Sequence, residues 1–250
     1  MRLGAIHRVP PASVPLLAAR ARLDLMTAPK SVDWHAAAPA NGDALGNDKA
    51  GCCVEAWDFQ EECLRLANAM GSPWRPTAGM VMARYVRLTG YDPATGQPDD
   101  GTDTAADTAD LCRKGLEIND QLLDVPHWTL LDPANLEHMK IAVAHFGAVA
   151  MTLNLPIALQ DMDFAKAPGA GPDWVPGSWG MHRVGSGTYD GDVFTIRTWG
   201  LDKPVHPETL KLILVAAEAR VSQRWLTATG LAPSGLDMDA LMADRARLAA

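Results

Sequence analysis

Long apolar runs are missing from this chain. No stretch approaches the roughly 18–20 consecutive apolar residues that a membrane span requires, so a membrane is excluded as a partner. Clustered positive charge is missing as well. Lys and Arg number 22 against 30 Asp and Glu, for a formal net charge of −8. Phosphate binding needs Lys and Arg gathered on one face; here they are scattered, which excludes nucleic acid as a main partner. Cysteine is scarce: Cys52, Cys53, Cys63 and Cys112 are the only 4 in 250 residues. A disulfide framework is denser and sits in a shorter chain, and neighbours such as Cys52 and Cys53 rarely bridge each other because the geometry is strained. Reduced thiols in a cytoplasmic setting follow. A zinc site wants Cys-x2-Cys pairs or a tight His/Cys cluster, and the sequence offers neither. No metal and no cofactor is expected.

What is present is ordinary globular material, 48% hydrophobic and 21% charged, in a chain long enough to bury a core without staples. Residues 1–30 are rich in Ala, Arg and Pro and carry no acid before Asp24. Arg20 and Arg22 interrupt the apolar centre a signal peptide would need. The segment reads as an extended arm with a short helix near 14–24, docked on the domain or on a partner.

Residues 31–51 read as a polar loop anchored by Trp34. The run 53–68 predicts a helix, with Val54, Trp57, Cys63 or Leu64, and Ala67 recurring near helical spacing before Asn68 and Gly71. A second helix is expected over 77–90 and a third over about 104–115, ended by Gly90 and Gly115. A strand is expected over 121–131. A helix follows over 133–147, capped by Asp132 with Pro133 in its first turn. A buried strand then covers 148–156. Asp190-Gly191 marks a hairpin turn between strand-like runs over 181–200. A short helix and a strand near 217–222 follow, and a helix closes the chain at 235–250, capped by Asp237. A helical first half followed by an antiparallel sheet is α+β. The expected division is an arm (1–30), a single domain (31–226, with a helical lobe of about 31–120 and a β lobe of about 121–226) and a C-terminal helical tail (227–250).

Chemistry concentrates at Cys53. It opens its helix, where partial positive charge and unpaired N–H groups lower a thiol pKa. A nucleophilic thiolate also needs a histidine and an oxyanion donor. Asn47, six residues upstream, carries a suitable amide, and His182 opens a strand in a Gly/Trp-rich neighbourhood. Cys52 reads as a small packed residue. The acidic run Asp99, Asp103, Asp107 and Asp110 lacks the Gly and Glu positions of a calcium loop, so turn formation and helix capping explain it better. Trp174, Trp179 and Trp199 cluster in sequence around the histidine and read as packing at a seam between lobes.

These residues resemble the papain-like cysteine peptidases. The carriers are 46-GNDKAGCC-53, Val32-Asp33-Trp34 before it, 182-HRVGSGTYDGD-192, and Thr198-Trp199-Gly200. The likeness spans roughly 31–226 and looks closest to divergent papain-fold proteins encoded by bacteriophages and prophages. It implies a helical lobe with the Cys at a helix start and a β lobe with the His on a hairpin strand. It implies Cys53 as nucleophile, His182 as base and Asn47 as oxyanion donor, acting on a peptide or amide bond in a peptide or protein substrate. The orienting position departs from the pattern: Arg197 stands where an Asn belongs, and arginine cannot accept a hydrogen bond from imidazole. Asp190, Asp192 and Thr198 are the candidates to take that part. The departure implies an alternative, a catalytically inactive structural or adaptor component of a virion (tail, neck or decoration), with arms binding other virion or self subunits. The location implied is host cytoplasm or virion.

Overall fold

A computed structural model describes residues 1–8, 27–72, 74–118, 121–123, 127–225 and 231–235. The strands are β1 (Ala5–Ile6), β2 (Ser31–Asp33), β3 (Thr102–Asp103), β4 (Leu116–Ile118), β5 (Gln121–Leu123), β6 (His127–Leu131), β7 (Val149–Leu155), β8 (Gly180–Ser186), β9 (Thr188–Asp190), β10 (Val193–Thr198), β11 (Leu201–Val205) and β12 (Leu214–Val221). The helices are α1 (Cys53–Met70), α2 (Ala78–Thr89), α3 (Thr104–Lys114), α4 (Leu136–Phe146) and α5 (Pro207–Ile213). The class is α+β, as the sequence predicts. No helix among the described residues is long and apolar enough to cross a membrane.

Helices α1 to α3 start and stop where local chemistry dictates. Thr77 and Asp103 cap α2 and α3 through their side chains, and Gly71 and Gly90 close α1 and α2 in the left-handed conformation. A core of Phe59, Val81, Tyr85, Leu111 and Leu116 fills the space between them. The main sheet runs β2-β9-β10-β8-β7-β12-β6, with β11 beside β10. All of its pairings are antiparallel. Its core gathers Met139, Val149, Met151, Leu153, Phe194 and Ile196. Helix α1 packs on β8 between the two cores. Trp57 fits where Gly185 lacks a side chain, since a Cβ there would lie 2.0 Å from the indole.

Several local expectations give way. The 31–51 loop contributes an edge strand, β2, because Ser31–Asp33 register against Thr188–Asp190. The single strand expected over 121–131 is two: β5 pairs with β4, whereas β6 joins the main sheet beside β12. Asp132 caps only a turn, accepting from Ala134 N–H at 2.9 Å. Helix α4 starts later, at Leu136, because Asn135 accepts from His138 N–H. Strand β11 follows Thr198 through a tight turn and was not anticipated. The helices expected near 14–24 and over 235–250 lie outside the described residues, apart from Gly235.

Candidate functional site

The loop before α1 is wound tightly. Leu45 and Gly46 both have positive φ (55° and 87°), and the N–H groups of Asn47, Lys49 and Ala50 return to the carbonyls of Ala44 and Gly46. Asn47 is buried, and its amide donates to Ala50 O at 3.0 Å and to Arg2 O at 3.2 Å. Cys52 takes the cap position and Cys53 the first helical one. Cys52 is wholly buried, a packed residue as expected.

Strand β8 brings His182 to the same place. Asn47, Cys53, His182, Thr198, Trp199 and Arg197 all line one small cavity of about 20 Å³, room for about one water. The three residues singled out in the sequence therefore converge, from a loop, a helix start and a strand. Imidazole Nε2 of His182 lies 2.7 Å from Thr198 Oγ1, and Nδ1 is buried without a hydrogen-bond partner. The ring is stacked at 3.9 Å and 6° on Trp199, whose ring stacks in turn on Trp179 at 5.6 Å. Trp199 adopts positive φ (45°) to reach this position, an uncommon conformation for a bulky residue. The grouping of three tryptophans is corrected, because Trp174 sits elsewhere, beside Lys166 and a separate surface cavity.

Arg197 is engaged by another partner. Its guanidinium pairs with Asp202 at 3.0 and 3.4 Å. Asp192 pairs with Lys140, and Asp190 is exposed at the end of β9. Of the three candidates for the orienting part, Thr198 alone meets the ring. Arg183, beside the histidine, has a structural duty: it forms a buried two-point pair with Glu218 at 2.6 and 3.3 Å. Its backbone N–H points at Cys53 Sγ, 3.4 Å away.

Burial governs the ionisation. It pushes the Cys53 thiol up to about 12, only partly offset by the N–H groups of Arg183 and Gly4 aimed at the sulfur. Burial alone takes His182 down to about 3. The cavity is thus lined by a neutral thiol and a neutral imidazole.

The N-terminal segment docks beside the site. Arg2 N–H donates to Asn47 O at 3.0 Å, and Trp199 Nε1 donates to Arg2 O at 3.3 Å. Strand β1 runs parallel to β3, Thr102 N–H donates to Gly4 O at 2.7 Å, and Arg8 pairs with Asp103 at 3.2 Å. Arg2 thus touches two residues that line the cavity, Asn47 and Trp199, and residues 4–8 run along β3. Sequence reasoning named an arm but gave no sign of where it docks.

Also unforeseen is a buried ionic network around α1. Asp58 meets Arg220 at 2.6 Å and Arg84 at 3.1 Å, and Glu61 meets Arg65 at 2.9 Å. Glu55 accepts from Thr102 Oγ1 at 2.6 Å. Burial first, and neighbouring carboxylates second, push Glu55 and Asp107 well above the ordinary carboxylate range. The acidic residues tested as a calcium loop serve this network and its surroundings: Asp103 caps α3, Asp107 and Asp110 pair with Arg84, and Asp99 accepts from Gly51 N–H and Tyr85 OH. Among the described residues no group of His, Cys, Asp and Glu is placed to hold a metal.

No family model matches the chain, and no curated protein matches it in sequence. Solved structures do. Xylellain, a cysteine protease from Xylella fastidiosa, superposes with a TM-score of 0.66 at 11% identity, covering 88% of this chain and 95% of that one. The chain has a papain-like fold. Procathepsin B S9 from Trypanosoma congolense agrees, at a TM-score of 0.58 and 12% identity over 89% of this chain and 86% of that one. At such identity the likeness speaks to the papain-like fold alone, with Cys53 at the start of α1 and the antiparallel sheet in the C-terminal part.

Proposed function

We propose that this protein is a thiol hydrolase of peptide or amide bonds, with a peptide or protein as substrate. The observation that carries the reading is the convergence of Cys53, His182 and Asn47 on one cavity, with His182 Nδ1 unpartnered and Nε2 held by Thr198. With Nε2–H donated to the Thr198 hydroxyl, Nδ1 keeps its lone pair. It takes the thiol proton as sulfur attacks the substrate carbonyl carbon. The Cys53 backbone N–H, unbonded in the first turn of α1, and the Asn47 amide, once substrate displaces Arg2 O from it, then face the developing oxyanion. The imidazolium returns its proton to the leaving amine, and water hydrolyses the thioester by the same route. That a peptide carbonyl suits the Asn47 amide is supported by Arg2 O, 3.2 Å from it. Incubating the protein with an epoxide probe and a mixture of unstructured peptides tests the reading. Labelling of Cys53 and cleavage abolished by Cys53→Ala is expected; equal cleavage by Cys53→Ala refutes it.

A second reading has its own observation: thiol and imidazole are both buried and neutral. On this reading the chain is an inactive papain-fold component of a phage virion, its arms holding other subunits. Copurification with particles, together with no change in assembly on Cys53→Ala, is the expected result; a protein found only free in lysates refutes it.

A further inference from the structure

Arg197 and Trp57 leave two hydrogen-bond donors unused on one face of the main sheet. Arg197 lies opposite Gly185 in the β10–β8 register, and residues so opposed project to the same face. The Trp57 indole occupies that face: a Cβ on Gly185 would stand 2.2 Å from Cε2, the ring carbon that carries Nε1. Asp202 takes Nε and Nη2 of the guanidinium. Nη1 is left buried with no hydrogen-bond partner, and so is Trp57 Nε1. Trp57 and the Arg197 side chain are each only 2% exposed, and both residues line the cavity shared by Cys53 and His182. Guanidinium and indole are donor-only groups, so neither can satisfy the other. Three acceptors on the cavity wall have other partners. Asn41 Oδ1 accepts from Gln60 Nε2 at 3.3 Å, Asp43 Oδ1 accepts from Leu45 N–H at 2.8 Å, and Thr198 Oγ1 meets His182.

We propose that Arg197 Nη1 and Trp57 Nε1 hold one monovalent anion of halide size, chloride in ordinary salt solutions. A guest there accepts two hydrogen bonds, one of them from a full positive charge, and a bond of that kind left unmade is costly. The volume of about 20 Å³ admits a single guest near the size of water, which excludes phosphate, sulfate and carboxylates. Asp202, the counter-ion of Arg197, has a side chain 34% exposed. Solvent weakens its field, so the guanidinium keeps a positive potential on its buried side. The site does not rest on the peptidase reading. Its consequence for that reading is electrostatic, because a negative charge in the same cavity favours the imidazolium form of His182.

The test uses the full chain, crystallised from gluconate salts and soaked in sodium bromide, with data collected at the bromine absorption edge. The expected result is one anomalous peak within hydrogen-bond reach of Arg197 Nη1 and Trp57 Nε1, retained in Cys53→Ala. In solution, the width of the chloride NMR line reports exchange with the site. Arg197→Met is expected to weaken anion binding at least about 30-fold. Trp57→Phe keeps a ring and removes the N–H, and is expected to weaken it about fivefold. If Arg197→Met does not fold, Trp57→Phe decides. An ordered water with no anomalous signal at this place overturns the proposal, as does a line width that the folded variants leave unchanged. Loss of the peptidase reading looks different: peptides stay uncut while the bromide peak remains.

Discussion

His182 Nε2 and Thr198 Oγ1 are 2.7 Å apart, both residues are buried, and the other ring nitrogen has no partner. A hydroxyl thus stands where the resemblance implied a side-chain amide. A hydroxyl can accept the ring N–H or donate to the ring nitrogen, so it fixes the tautomer less strictly than an amide carbonyl does. Thr198→Val removes the contact at nearly constant volume. The expected outcome is a roughly tenfold fall in kcat with KM little changed and an altered pH profile, the loss of one hydrogen bond. Thr198→Ser restores it. Steady-state kinetics on a cleaved peptide across pH reads all three.

The thiols should report their burial. Cys112 is half-buried and the other three are buried, so iodoacetamide at pH 7.5 is expected to label Cys112 first. Cys53, pushed up to about 12, is expected to label slowly and to accelerate as pH rises. Peptide mass mapping over a time course gives the order.

Stability should fall on both sides of an intermediate pH. His35 is taken down to about 3 by burial and by Arg197, and His182 to about 3 by burial. In the unfolded chain both titrate near 6.5, so between about 6.5 and 3 the unfolded state binds more protons. Stability is then lost as pH falls, by up to about 1.4 kcal/mol per unit per histidine. Glu55 and Asp107 carry the opposite sign. Their raised folded pKa values mean that the folded state holds protons the unfolded state has released, so stability is lost as pH rises above the ordinary carboxylate range. Urea denaturation at a series of pH values should trace a maximum, and Glu55→Gln should flatten its alkaline side.

Breaking the Arg183–Glu218 pair strands a buried charge. Glu218→Ala is expected to cost about 3–5 kcal/mol, read as a lower urea midpoint. Replacing both partners with apolar residues should cost less, because no unpaired charge remains.

The frame of the fold was legible because it is written locally. Thr77, Asp103, Gly71 and Gly90 announce helix ends within a few residues, and Asp190-Gly191 announces its turn. Cys53, Asn47 and His182 were legible through short spacings and order along the chain. The rest depends on partners far apart. Nothing near Glu61 or Asp58 reveals that Arg220 will meet them, so a helix with charge on a buried face looked merely amphipathic. Strands β4 and β5 pair only with each other, and their 3 residues each carry too little pattern to separate from β6.

The contact between Trp57 and Gly185 joins the element bearing the thiol to the strand bearing the imidazole. Trp57 stands one helical turn beyond Cys53, and Gly185 lies three residues beyond His182. The indole sits where Gly185 has no Cβ, so any side chain at 185 would drive α1 and β8 apart and move Cys53 relative to His182.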